Sequence, residues 1–142
     1  QKIKAAAGEL TEKYGSTNYA ALGALMAGKQ SFEAGDLKTA KVQLTWAADN
    51  GKDELKDIAR LRLAAVLLDE KSYDEALKQL EASHAPAFAV RFQELKGDVL
   101  AAQGKKLEAL AAYKAAQAKS EGKTGVSSDL LQQKIDSMGE AA

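Results

Sequence analysis

Apolar residues recur along this chain at helical spacing, in stretches that polar breaks divide at similar intervals. The clearest stretch runs from Asp57 to Leu80. Ile58, Leu61, Ala65 and Leu68 share one helical face there, and Leu63, Val66 and Leu67 share a second. A helix apolar on two sides must be covered on two sides. The polar break Glu70-Lys71-Ser72 then admits a short amphipathic helix carrying Ala76, Leu77 and Leu80. The whole stretch predicts a helical hairpin.

The rest of the chain reads in the same terms. Lys2 to Lys13 predicts a helix with Ile3, Ala6, Ala7 and Leu10 on its apolar side, and Gly15 suits the left-handed position that ends it. Thr17 or Asn18 caps the next helix, Tyr19 to Glu33, which carries Leu22, Leu25, Met26 and Phe32. Gly35-Asp36 breaks it, and Leu37 to Asp49 forms a partner with Ala40, Leu44, Ala47 and Ala48 inward. Beyond the central hairpin, Pro86 opens a helix where a missing N–H costs least. That helix runs to about Gln103 with Phe88, Phe92, Leu95, Val99 and Leu100. Gly104-Lys105 separates it from Leu107 to Lys119, whose Leu110 and Tyr113 face inward. Ser120 to Gly125 is a polar loop, and Ser127 or Ser128 caps a last helix holding Leu130, Leu131, Ile135 and Met138.

The hairpins are versions of one another. Gly35-Asp36-Leu37-x-x-Ala40-x-x-x-Leu44 aligns with Lys71-Ser72-Tyr73-x-x-Ala76-x-x-x-Leu80 and with Gly104-Lys105-Lys106-x-x-Ala109-x-x-x-Tyr113. In the first helices Gly28, Ala64 and Gly97 coincide, as do Ser31, Leu67 and Leu100. Ala40 to Ala76 spans 36 residues and Ala76 to Ala109 spans 33, bracketing the roughly 34-residue period of tetratricopeptide repeats. Small residues at the aligned positions let paired helices approach, and the large residue four places later fills the space above. The pattern predicts an all-α solenoid of three tetratricopeptide-like hairpins, about 19–49, 54–82 and 86–119, in a single domain over 1–142. Flanking helices at about 2–13 and 127–138 would close the ends of the stack.

Composition narrows the chemistry. Ala, Leu, Lys, Glu and Gln dominate, with one Pro. Acidic and basic residues balance at 20 each, which gives no reason to expect nucleic acid or an anionic membrane surface as partner. There is no cysteine, hence no disulfide framework. The longest apolar run, Leu63 to Leu68, falls far short of the ~20 residues of a spanning helix. The chain opens at Gln1 directly in helix-like sequence, and we expect it to be a fragment cut from a longer protein, which leaves an upstream anchor open.

Three runs add a resemblance: Asn18-Tyr19-Ala20-Ala21-Leu22-Gly23-Ala24-Leu25, then Leu61-Arg62-Leu63-Ala64, then Glu94-Leu95-Lys96-Gly97-Asp98-Val99-Leu100 with Gly104-Lys105. In this order and spacing the chain resembles the YfgM family of bacterial inner-membrane proteins from about Tyr14 to Ile135. The resemblance implies a cytoplasmic tail and one transmembrane helix upstream, with this domain on the periplasmic side. It implies an ancillary subunit of the SecYEG translocon that pairs with a PpiD-type foldase and assists secreted clients as they emerge. It brings no catalytic residues.

The residues themselves show no enzyme. His84 is the sole histidine and, with no Cys, falls short of the three or four N/S ligands a zinc site wants, so it reads as a solvated turn residue. The acidic pairs Asp53/Glu54, Asp69/Glu70 and Asp74/Glu75 sit at helix starts or turns, where they suit the helix dipole or water. Asn50-Gly51-Lys52 and Gly122-Lys123-Thr124-Gly125 follow no strand and are not phosphate loops. We expect no catalytic residue, no metal and no cofactor. The surface with a functional claim is the face lined by the first helix of each hairpin. It comprises Leu22, Leu25, Met26, Lys29 and Phe32; then Ile58, Leu61, Arg62, Ala65 and Leu68; then Arg91, Glu94, Leu95 and Asp98. An apolar groove with a Met and a charged rim suits extended or helical peptide segments. Packing beneath the terminal helices is the competing expectation for Leu22, Leu25 and Ile58. Lys29, Arg62 and Arg91 have no such explanation. The function expected is a non-enzymatic protein-interaction module working at the translocon, with a generic assembly scaffold as the alternative.

Overall fold

A computed structural model of the chain describes residues 18–120 and 126–141. The expected helix at 2–13, its Gly15 stop and most of the Ser120–Gly125 loop lie outside the described residues, as do the side chains of Ser127 and Ser128. The described residues form α1 (Asn18–Glu33), α2 (Leu37–Asn50), α3 (Glu54–Asp69), α4 (Tyr73–Glu81), α5 (Ala89–Ala102), α6 (Lys106–Lys119) and α7 (Val126–Ala141). No strand occurs among them, so the all-α expectation holds.

One boundary is corrected. Pro86 opens a single 3-10 turn, Pro86–Phe88, and the α-helix begins only at Ala89. The fixed φ of proline fits the start of either helix type. A second correction concerns His84. Its ring is half-buried and stacks on Phe92 at 4.2 Å between centroids, and its Nδ1 lies 3.0 Å from the Ala85 carbonyl oxygen. It holds the turn between α4 and α5 rather than standing in water.

The repeat shows most clearly in the turns. After α1, the Asp36 amide donates to Ser31 O (2.8 Å) and the Gly35 amide to Phe32 O (3.0 Å). The same pair recurs as Ser72 to Leu67 and Lys71 to Leu68, and again as Lys105 to Leu100 and Gly104 to Ala101. Each is a Schellman cap, which satisfies helix-end carbonyls by placing one residue in left-handed conformation. That residue is Gly35 (φ 82°), Lys71 (φ 66°) and Gly104 (φ 80°) in turn. Asp36 adds an N-cap, its Oδ1 accepting from the Thr39 amide at 3.2 Å.

The chain divides into two compact units, Gln1–Ser72 and Tyr73–Ala142, the boundary falling in the turn of the second hairpin. In the first unit α1 packs on α2, and α3 packs on both. The second apolar face of α3 is covered, with Leu63, Val66 and Leu67 buried beside Ala64, while of the first only Leu61 is buried and Ile58, Ala65 and Leu68 are half-buried. Ala20, Ala21, Ala24 and Ala27 are inaccessible on α1, where small side chains let α2 come close. Gly28 marks the closest approach, since a Cβ there would lie 2.6 Å from Leu44 Cγ. Lys41 of α2 reaches Glu70, just past the end of α3, at 3.1 Å.

In the second unit α4 packs on α5, α5 on α6, and α6 on α7. Gly97 repeats the role of Gly28, because a Cβ there would lie 2.5 Å from the Tyr113 ring. The core joins Leu100, Ala109, Ala112, Tyr113 and Ala116 to Leu131 and Ile135 of α7. Phe92, Val99 and Leu131 are almost fully enclosed, each stabilising the unit by about 1.5–3 kcal/mol through burial. Of the apolar residues of α7, Leu131 is enclosed while Leu130 is 48% exposed.

Candidate protein-binding surface

On the first unit, the helical period sends Ala20, Ala24 and Ala27 of α1 into the core and leaves Tyr19, Leu22 and Met26 outside. These three, spaced i, i+3 and i+7, are 62%, 42% and 58% exposed and form one apolar stripe. Lys29 extends the stripe, held only loosely by Glu33 at 4.0 Å with both side chains more than half exposed. Phe32 is half-buried near its end. Tyr19 was not among the residues expected on this surface, although it continues the spacing of Leu22 and Met26.

Leu25 and Leu61, by contrast, belong to the core, at 4% and 7% exposure. On α3 the remaining expected residues, Ile58, Arg62, Ala65 and Leu68, are half-buried. Arg62 makes no ion pair among the described residues, so its guanidinium has no structural task there.

On the second unit, Arg91 is exposed while Glu94, Leu95 and Asp98 are half-buried. The two carboxylates face α7. Lys134 Nζ lies 2.8 Å from Glu94 Oε2 and 3.0 Å from Asp98 Oδ1. The Tyr113 hydroxyl donates to the same Asp98 Oδ1 at 2.6 Å, and the Lys134 ammonium sits 5.8 Å from the Tyr113 ring centroid. Burial lowers the affinity of Lys134 for its proton, but hydrogen bonds to Glu94 and Asp98, with their charge, outweigh it and raise the pKa. Burial first, then the Asp98 hydrogen bond and the charges of Asp98 and Glu94, push the Tyr113 phenol far above its usual range. Tyr113 is therefore a neutral donor. This network attaches α7 to α5 and α6. Its signal in the sequence is Lys134, a cation set between Leu131, Ile135 and Met138 on an apolar face.

Among the described residues no group of His, Cys, Asp and Glu is placed to hold a metal ion, and no helix is long and apolar enough to cross a membrane. What the surface offers is apolar contact, a free guanidinium and a loosely held ammonium, a set suited to binding polypeptide.

A family model described as a tetratricopeptide repeat-like domain matches residues 1–140. The chain is similar to the "Ancillary SecYEG translocon subunit" of Neisseria gonorrhoeae, 39% identical over 138 residues, covering 96% of this chain and 66% of the relative. It is similar to the protein of the same name from Escherichia coli, 33% identical over 131 residues, covering 89% and 63%. The Haemophilus influenzae protein so named is 31% identical over 118 residues, covering 82% and 58%. The chain thus spans just under two thirds of the length of these relatives. No solved structure matches it. The resemblance read from the Asn18–Leu25, Leu61–Ala64 and Glu94–Leu100 runs is supported by these relatives.

Proposed function

The chain belongs to the tetratricopeptide repeat-like domain family, and we propose that it is the protein-binding domain of an ancillary translocon subunit, without enzymatic activity. The observation that carries this reading is the exposed apolar stripe Tyr19–Leu22–Met26, with Arg62 free on α3. A monomeric soluble domain gains nothing by holding three large apolar side chains in water along one helix, whereas a peptide-binding surface needs them. In this reading the domain stands on the periplasmic side of the bacterial inner membrane, tethered by a helix outside the present sequence. It engages SecYEG and a PpiD-type foldase, and emerging secreted clients cross the same surface. The balanced charge of the chain gives no reason to expect nucleic acid as a partner.

A photo-crosslinking amino acid at Met26 or Arg62 of the full-length protein in cells tests this. Translocon or foldase subunits are expected to be captured from both positions and not from Val42, an exposed residue of α2. Capture from Val42 alone, or of no secretion component from any of the three, overturns the proposal.

A further inference from the structure

The second unit carries another surface, on helices that the stripe does not involve. An open cleft of about 550 Å³ lies between α4 and α6 with α5 as its floor. Leu77, Leu100 and Ala112 make its apolar lining. Around them stand Glu81 and Glu108, Lys96 and Lys105, two charges of each sign. None of the four makes an ion pair among the described residues. Beside the cleft is a protrusion. Leu107 is 73% exposed, the most exposed large apolar side chain among the described residues. It stands one turn before Ala111, which forms part of the cleft wall, so knob and hole share the α6 ridge.

We propose that this face binds a second copy of the chain, the α6 ridge of each protomer lying in the cleft of the other. A twofold interface requires a surface complementary to itself. Here Leu107 of one copy enters the apolar floor of the other, and Lys105 of one copy meets Glu108 of the other, each contact occurring twice. The four charges sum to zero, as does the charge of the whole chain, so no net repulsion opposes the approach. A partner rich in one charge would find half of this rim repulsive. Desolvating Leu107 and the half-buried Leu77 supplies the attraction, Leu100 and Ala112 being already enclosed at 5% and 6% exposure. The inference is independent of what the stripe on α1 binds.

Sedimentation equilibrium of the purified chain over a range of concentrations tests it. A monomer–dimer equilibrium is expected, lost in Leu107→Asp. That substitution replaces an exposed side chain in the first turn of α6, where an acid suits the helix dipole, so at concentrations where the parent is monomeric the thermal melt should not fall. Lys105→Glu is expected to weaken dimerisation about tenfold or more. The double variant Lys105→Glu/Glu108→Lys restores it, because each reversed charge meets its reversed mate across the axis. A chain that stays monomeric throughout overturns the proposal. So does a dimer indifferent to Leu107→Asp, or a double variant no better than Lys105→Glu alone.

Discussion

In the first hairpin Gly28 brings α1 against Leu44 of α2; in the third Gly97 brings α5 against Tyr113 of α6. The joints are alike, and the outer faces of the two first helices are opposite in kind. Leu22, Leu25, Met26 and Lys29 align with Arg91, Glu94, Leu95 and Asp98 in the repeat. On α1 the face is apolar, and Leu22 and Met26 stand in solvent. On α5 it is charged, and Glu94 and Asp98 are covered by α7 through Lys134. Leu25, aligned with Glu94, is enclosed in the core at 4% exposure. Glu94 and Asp98 are covered because a cation on α7 satisfies them, whereas Leu22 and Met26 have no covering among the described residues. The same position in a repeat can thus close a stack or receive a partner, depending on what the neighbouring helix brings.

The joints are where the comparison can be broken hardest. Gly→Ala inside a helix ordinarily stabilises by roughly 0.5–1 kcal/mol. Here the new Cβ would enter Leu44 or the Tyr113 ring, so both Gly28→Ala and Gly97→Ala should destabilise, by about 1–3 kcal/mol from overpacking. Gly97→Ala should cost more. Leu44 is an aliphatic side chain that can shift within its pocket, whereas the Tyr113 ring is pinned by its hydroxyl to Asp98. Urea unfolding of both variants gives the order; a stabilised Gly97→Ala would mean the joint is slack.

Lys134→Met acts on the covering of the third hairpin at smaller cost. It keeps the stem and leaves Glu94 and Asp98 without their cation, an expected loss of about 1–3 kcal/mol. The lower half of that range is expected, because the two carboxylates are still 18% and 28% exposed. The pH dependence has a definite sign. Lys134 holds its proton more tightly when folded than the ordinary lysine near 10.5. Its contribution is therefore complete below that pH and is lost as pH rises through the folded value. Alkaline unfolding curves of the parent and Lys134→Met should converge above it; parallel curves would show that Lys134 contributes only packing.

Much of this architecture is legible in the sequence because it is written locally. Gly35 and Gly104 mark left-handed turns, and their alignment with Lys71 foretells that a lysine adopts the same conformation. The spacing of Gly28 and Gly97 to Leu44 and Tyr113 gives the helix joints. What lies further apart in the chain is harder to see. Lys134 meets Glu94 across 40 residues, and no periodicity within either helix states which face of α7 turns toward α5. Leu25 and Leu61 have the composition of a groove and the location of a core, since a helix apolar on more than one side does not announce which side is covered. The charged cleft between α4 and α6 escapes a reading confined to the first helix of each repeat.

The gentlest substitution separates the two faces most cleanly. Leu22→Ser/Met26→Ser removes apolar side chains that are 42% and 58% exposed, so each should change folding stability by about 0.5 kcal/mol and the pair by no more than about 1 kcal/mol. If the stripe serves a partner, the same variant should lose translocon or foldase crosslinks from position 62, where Arg62 lies on the neighbouring α3. The aligned substitutions on the third hairpin, Arg91→Ser/Leu95→Ser, should leave those crosslinks intact. A loss of stability beyond about 1 kcal/mol in the first pair would assign the stripe to the protein's own packing. Stability kept with crosslinks lost would mean that the apolar face of the first hairpin is left uncovered for a partner, while α7 fills the corresponding place on the third.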